Sequence, residues 1–357
     1  MDLLLRVFVV LLLLSAPARA GEPDSSEPTS EEASESTEAS ADAPQEEPAK
    51  AVDPELVAKR AELAAALDAF TIEDTGHAFL WKVTSKKKKH KGVAWVTGSI
   101  HLGKADMYPL DGAITEAFAE ADALCVEADI AAPGKEKEMA SKLMEMAMLP
   151  EGETISTLLP HRAEEIKNTL AAYMVPMAIA DRMKPFMVSM MVSLLEMKWA
   201  GWDESLGIDR HFLDAARGNK EIVELESVEM QAELLGTMPM DIQLAMLESS
   251  LDFHGLAAKW TPLAWQAIAQ GSADAVVQLG EMEGGDPDDP KLEEFNQLLL
   301  DKRNVGMADL IVEHVTKGKG TWFVVVGALH VPGENGVLDL LDDRRFLRIE
   351  QQKRATP

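Results

Sequence analysis

From residue 53 onward the chain breaks into blocks whose apolar spacing changes, and each change marks a predicted element. Asp53-Pro54-Glu55 reads as an N-cap, a first-position proline and a first-turn acid, opening a helix through Phe70. Two β-rich runs follow, residues 78–84 and 92–97, separated by a lysine-rich stretch at 85–91 that cannot be core. This is the pattern of a β-hairpin with a solvated, basic tip that breaks up a sheet edge. A helix runs from Asp111 to Asp122 and leads into a buried strand at 123–128. Helical spacing then continues from 135 to 199, punctuated by Pro160, Pro176 and Pro185. Next come a helix ending at Gly218, a strand at 221–225 and a helix capped by Ser227. Helices occupy about 239–316, with an acidic loop at 283–290. The chain closes with a strand at 321–326, a short helix after Asn335-Gly336 and a last strand at 346–349.

Strands at both ends with helices between them predict one α/β domain. Its mixed central sheet is built from N- and C-terminal strands and carries a large helical insertion as lid or cap. No polar linker near the middle divides this region in two, so it is read as one unit over 57–357. Two segments precede it. Residues 1–20 combine Arg6, a short apolar run from Val7 to Leu14 and Ala18-Arg19-Ala20, the pattern of a cleavable secretory signal. Residues 21–56 hold twelve acids and a single lysine, Lys50, with almost no large apolar residue, the composition of a disordered, solvating linker. The expected location is therefore the bacterial periplasm or the exterior, with no stable membrane insertion once the signal is removed.

Charge and cysteine content narrow the function. The 357 residues carry a formal net charge of −27, which argues against nucleic acid or an anionic membrane as the main partner. One cysteine, Cys125, excludes an intramolecular disulfide framework and a cysteine-rich zinc site. The methionine-rich stretches around Met139–Met148 and Met183–Met197 have helical spacing and read as core filler rather than as a metal or heme box.

One motif stands above this background. The strand before Gly98 ends in Gly98-Ser99-Ile100-His101, and the strand before Gly327 ends in Gly327-Ala328-Leu329-His330. The same G-x-x-H word thus closes an apolar strand at opposite ends of the domain. The glycine is expected to let the chain turn sharply as it leaves the sheet. The histidine then projects from the carboxyl edge, where open α/β sheets hold their ligands. A third strand end supplies Glu127 and a fourth supplies Glu226. Two imidazoles with one or two carboxylates suit a divalent ion, with Zn, Mn or Co all possible. They equally suit a metal-free acid/base site in which histidine activates water. His77, His90, His161, His211, His254 and His314 lack this context and read as surface or packing residues.

These words, with Phe79-Leu80-Trp81-Lys82-Val83, Gly207-Ile208-Asp209, Leu225-Glu226-Ser227-Val228-Glu229-Met230-Gln231, Arg303-Asn304-Val305-Gly306-Met307-Ala308 and the stretch from Gly327 to Val337, resemble the TraB/GumN family over roughly 77–350. That family is related to the TIKI secreted proteases and to PrgY. The resemblance implies an α/β fold shared with erythromycin-esterase-like and ChaN-like proteins. It also implies a site of His101, His330, Glu127 and Arg303, with Glu226 a further candidate. In the TIKI branch the paired motif goes with metal-dependent proteolysis; in the esterase-like relatives a similar constellation cleaves a small ester without metal. The leading expectation is a secreted or periplasmic metal-dependent hydrolase, a peptidase before other kinds. His101, His330 and Glu127 would hold the metal, and Glu226 or Glu127 would take the proton. Arg303 would either offset oxyanion charge or position the glutamates. The alternatives are a heme-, ligand- or peptide-binding protein without turnover, and a metal-free esterase.

Overall fold

The computed structural model describes residues 54–129, 131–283 and 290–355. The leader pattern at 1–20, the acidic stretch up to residue 53 and most of the acidic loop at 283–290 lie outside the described residues. Helix α1 (Pro54–Ala69) opens on its proline, as predicted. Strands β1 (His77–Ser85) and β2 (Lys91–Ser99) pair antiparallel as the predicted hairpin. His77 opens β1. Helix α2 (Gly112–Glu120) is capped by Asp111, which accepts the Ala113 N–H at 2.9 Å.

Strand β3 (Ala123–Val126) comes next, buried throughout, with Cys125 in it. The insertion between β3 and β4 (Glu221–Glu224) contains α3 (Lys135–Met146), α4 (Ala163–Ala172), α5 (Pro185–Trp199) and α6 (Ile208–Ala216). Pro185 sits in the first turn of α5, where a missing N–H costs nothing. A second helical run separates β4 from β5 (Lys319–Gly327). It comprises α7 (Val228–Gly236), α8 (Met240–Phe253), α9 (Ala257–Ala269), α10 (Ala273–Glu283), α11 (Pro290–Asn296) and α12 (Lys302–Lys317). Helix α13 (Val337–Asp342) and β6 (Leu347–Lys353) close the chain.

The six strands form one mixed sheet in the order β4-β3-β5-β2-β1-β6. Strands β4, β3, β5 and β2 are parallel neighbours, whereas β1 is antiparallel to both β2 and β6. First and last strands thus meet in one sheet, as expected from their distribution along the chain. The main core packs helices on this sheet through Phe79, Phe186, Phe212, Trp260 and Phe323. A separate apolar cluster binds α4, α5 and α8 through Ile166, Leu170, Val188, Val192, Leu247 and Leu251. Met190 and Met197 are fully buried, in keeping with core filling. His314 stacks on Trp322 at 3.9 Å between ring centres, and His254 Nε2 meets the Tyr173 hydroxyl at 2.9 Å, both packing roles. Among the described residues no helix is long and apolar enough to cross a membrane.

Helix α12 fixes the depth of the site. Its last turn touches the start of β2, where His314 Nε2 lies 3.2 Å from the Val93 carbonyl. Running back from His314 to Arg303 at about 1.5 Å per residue covers roughly 16 Å. From Val93 to Ser99 strand β2 covers about 20 Å at roughly 3.3 Å per residue, so Arg303 lies toward the strand's carboxyl end.

The buried acid Glu196 on α5 gives the fold a pH dependence. It is 7% exposed and accepts the N–H groups of Gly255 at 3.0 Å and Ala257 at 2.9 Å. Burial raises its carboxyl to about 7, against the lowering pull of those two amides. A folded value above the unfolded one stabilises the protonated form. That stability is complete below the unfolded value and is lost as pH rises through about 7. Glu196→Gln keeps an acceptor oxygen without the charge. Its stability relative to wild type is expected to rise by up to about 3 kcal/mol between pH 4.5 and pH 8. Urea titrations at both pH values check this, and a difference that does not change with pH would contradict it.

Candidate active site at the carboxyl edge of the sheet

Four adjacent parallel strands end side by side. Ser99 of β2 pairs with Gly327 of β5, and Val126 of β3 pairs with Val325. The β3–β4 pairing extends past both strands, since the Glu226 N–H donates to the Glu127 carbonyl at 2.8 Å. The chain therefore delivers His101, His330, Glu127 and Glu226 to one edge in strand order.

The glycine of each G-x-x-H serves a purpose other than the expected sharp turn. Gly98 is still inside β2, and a Cβ there would lie 2.5 Å from Phe79 Cε1 and 2.9 Å from the Ala328 Cα. Close packing against β1 and the second motif demands glycine there, not a left-handed φ. Gly327 has an ordinary φ of −51°. A Cβ on it would sit 3.4 Å from Glu127 Oε1, 3.5 Å from His330 Cδ2 and 3.8 Å from His101 Nε2. Its missing side chain leaves a small space bounded by all three predicted residues.

Both imidazoles are held from behind. His330 is 2% exposed, and its Nδ1 lies 2.6 Å from Asn304 Oδ1. Asn304 Nδ2 donates to the Asn335 carbonyl at 2.9 Å, which orients the amide so that Oδ1 accepts from His330. Burial, Arg303 and His101 push the His330 imidazole well below its usual range, so it is neutral. The tautomer follows: Nδ1 carries the proton and Nε2 presents a lone pair. That Nε2 has no hydrogen-bond partner among the described residues and lies 3.8 Å from Glu127 Oε1. His101 is 7% exposed, and its Nδ1 lies 2.9 Å from Asp209 Oδ2, so this nitrogen bears a proton and Nε2 faces the common space.

The two glutamates share one guanidinium. Arg303 Nη2 lies 2.5 Å from Glu127 Oε2 and 2.6 Å from Glu226 Oε2, and Nε lies 2.8 Å from Glu226 Oε1. Nη1 donates to the Leu299 carbonyl at 3.0 Å. Burial alone would lower the Arg303 pKa, but the two carboxylates hold it above its ordinary value, so the cation is permanent. Burial pushes the Glu127 carboxyl up, opposed by Arg303 and by the Gly327 N–H, which donates to Oε1 at 2.6 Å. Of the two roles open to Arg303, this geometry supports positioning of Glu127 and Glu226.

The side-chain types at this edge are ones that divalent ions take as ligands. His101 and His330 offer Nε2 atoms toward a shared space, each with its other nitrogen anchored, the arrangement that orients imidazole ligands. Glu127, Glu226 and Asp209 also outnumber Arg303, a formal negative excess that a cation offsets. The set is not closed around a single point. Among the described residues no group of three His, Cys, Asp or Glu side chains stands as a preformed metal cluster.

All five predicted residues thus come together. Two partners were missed: Asp209 behind His101 and Asn304 behind His330. Both lie inside words already singled out, Gly207-Ile208-Asp209 and Arg303-Asn304. Asp209 reaches its place because Gly207 packs against the His101 carbonyl, 2.3 Å from where a Cβ would be, and the Ile208 N–H donates to the Ile100 carbonyl at 3.0 Å.

The chain is similar to two curated proteins. The uncharacterized protein YbaP of Shigella flexneri is 25% identical over 276 residues, covering 74% of this chain and 94% of its own length. The uncharacterized protein YbaP of Escherichia coli K12 is 26% identical over 251 residues, 68% of this chain and 86% of its own length. No solved structure matches. The TraB/PrgY/gumN family matches residues 79–347, a span that holds both G-x-x-H strands, both glutamates, Arg303 and the helices between them, and the chain belongs to that family.

Proposed function

We propose that this chain is a metal-dependent hydrolase of carbonyl substrates, a peptidase first of all, acting outside the cytoplasm as the leader pattern at 1–20 would direct. The observation that carries the reading is the space beside Gly327, bounded by His101 Nε2, His330 and Glu127 Oε1. His101, His330 and Glu127 would hold the ion. When bound, it would polarise a carbonyl and lower the pKa of water. Asp209 keeps the His101 ring in one tautomer, and Asn304 does the same for His330. Glu127, buried at the same spot, is the group best placed to take a proton from water and return it to the leaving atom. Arg303 holds Glu127 and Glu226 in register.

Gly327→Ala tests the reading directly. Contacts of 3.4–3.8 Å are ordinary van der Waals distances and a φ of −51° suits alanine, so the variant should fold with Tm within about 2 °C of wild type. In a peptide-library screen with Mn, Co or Zn, turnover is expected to fall by at least about tenfold, since a misplaced group costs that much or more. A variant as active as wild type would sink the proposal. A metal-free variant of the chemistry draws support from the Asp209–His101 pair, an imidazole general base held by a carboxylate. Cleavage of small esters that survives EDTA would favour it.

A further inference from the structure

The tip of the β1–β2 hairpin is a basic surface on an acidic molecule, and we infer that the acidic segment 21–53 of the same chain docks on it. Lys86, Lys87, Lys88, Lys89 and Lys91 are exposed, and among the described residues none of the five is in an ion pair. Two more cations adjoin them. Lys319 pairs in register with Lys91 across β2 and β5, and Lys86 Nζ donates to the Arg345 carbonyl at 3.1 Å. Acids on the neighbouring elements are engaged elsewhere. Asp309 lies 2.9 Å from Arg344, Glu313 3.2 Å from Lys317 and Glu350 2.8 Å from Arg348, while Asp122 accepts the Thr321 N–H at 2.7 Å. That leaves Asp342 and Asp343, at the end of α13, against seven cations.

The lysines stand on a fixed platform. The Lys86 N–H donates to the Phe346 carbonyl at 2.8 Å, the His90 N–H to the Lys87 carbonyl at 3.0 Å, and Ser85 Oγ meets His90 Nδ1 at 2.8 Å. Lys87 Nζ lies 5.1 Å from the Phe346 ring centre. Like charges held together on a turn repel one another, and guarding a sheet edge needs fewer of them. Residues 21–53, which join the described chain at Pro54, carry eleven acids against Lys50. With a net charge of −27 the rest of the molecule repels such a segment, and the tip is the place that attracts it. Its 33 residues reach up to roughly 110 Å, and a folded unit of this size is about 50 Å across, so the tip is within reach. The covalent tether supplies an effective concentration near the millimolar range, enough to populate contacts too weak for a free peptide. The nine residues of β2 separate the tip from the G-x-x-H edge by roughly 26 Å, so the inference stands apart from the hydrolase reading.

The test is carbodiimide coupling of carboxylates to lysines on the full chain, read by mass spectrometry. At about 20 mM salt, links from residues 21–53 to Lys86, Lys91 and Lys319 are expected to exceed those to Lys59 at least about fivefold, although Lys59 is nearer along the chain. About 0.5 M salt should remove most of that preference. Lys87→Glu/Lys88→Glu/Lys89→Glu, at exposed positions that do not threaten folding, should cut the links to Lys86, Lys91 and Lys319 at least about threefold. In an equal mixture of isotope-labelled and unlabelled chains, each link should join residues of one label. A fluorescein-labelled decaglutamate peptide should bind at least about fivefold tighter once Glu31, Glu32, Glu35, Glu38, Glu46 and Glu47 are changed to Gln, because the tip is then uncovered. Links spread evenly over exposed lysines, or unmoved by salt, would overturn the inference. Links between labels would make a second copy the occupant, and equal decaglutamate binding by both chains would leave the tip open to an outside anionic partner; either result overturns it too.

Discussion

Arg303→Met is expected to cost about 3–5 kcal/mol of stability and to lower Tm by at least about 6 °C. The guanidinium is 9% exposed and sits against two carboxylates that are 4% and 8% exposed. Its removal leaves Glu127 with the Gly327 N–H and Glu226 with the Gln231 amide as their remaining neutral donors. Neither offsets a full charge out of water. Lysine is no substitute, because one ammonium cannot reproduce the fork that reaches both glutamates. The triple variant Arg303→Met/Glu127→Gln/Glu226→Gln should recover much of the loss, since replacing a whole buried ion network by neutral groups is far less costly than breaking it. Calorimetry on the single and triple variants decides the matter. A single variant melting within about 2 °C of wild type would mean that the cluster is not the buried, charged unit described here.

His101→Ala and His330→Ala are expected to reduce kcat/KM by at least about a thousandfold each, on whichever peptide the library screen selects. The double variant should be little worse than the poorer single one, because residues acting as one unit are not additive. Elemental analysis adds a readout independent of turnover. Wild type purified without a histidine tag should carry about one equivalent of a transition metal, and the double variant almost none. Both rings are buried and each holds a buried polar partner, so melting curves of both variants accompany the assay. Asp209→Asn and Asn304→Ala act one step back, through ring orientation, and should cost roughly 10–100-fold. Full activity in both histidine variants would remove the proposed centre, whatever the metal content.

Much of the site was legible because its signals are local. An apolar run followed by G-x-x-H can be read without knowing what lies beside it, and so can a strand that ends in a glutamate. Caps such as Asp111 and Ser227 are equally local, each depending on an N–H two or three residues away. Asp209 and Asn304 were not legible as site residues. Asp209 meets His101 across 108 positions and Asn304 meets His330 across 26, and the words that contain them do not say which partner each meets. The purpose of the motif glycines was misread for the same reason. Gly98 looks like a turn residue in one dimension, but its constraint is the Phe79 ring and the Ala328 backbone, 19 and 230 residues distant.

By itself, then, the sequence determined the element types, the mixed sheet joining the two ends of the chain and four of the five residues that meet at its carboxyl edge, Arg303 being named by the family resemblance. Periodicity, capping and strand-end chemistry are short-range properties, and the family resemblance added their order. Tertiary structure alone decided the partnerships. It placed β2, β5, β3 and β4 side by side, set one guanidinium between Glu127 and Glu226, and put a carboxylate and an amide behind the two histidines. Strand order and the approach of α12 across β2 set these pairings, and both depend on packing between segments far apart along the chain.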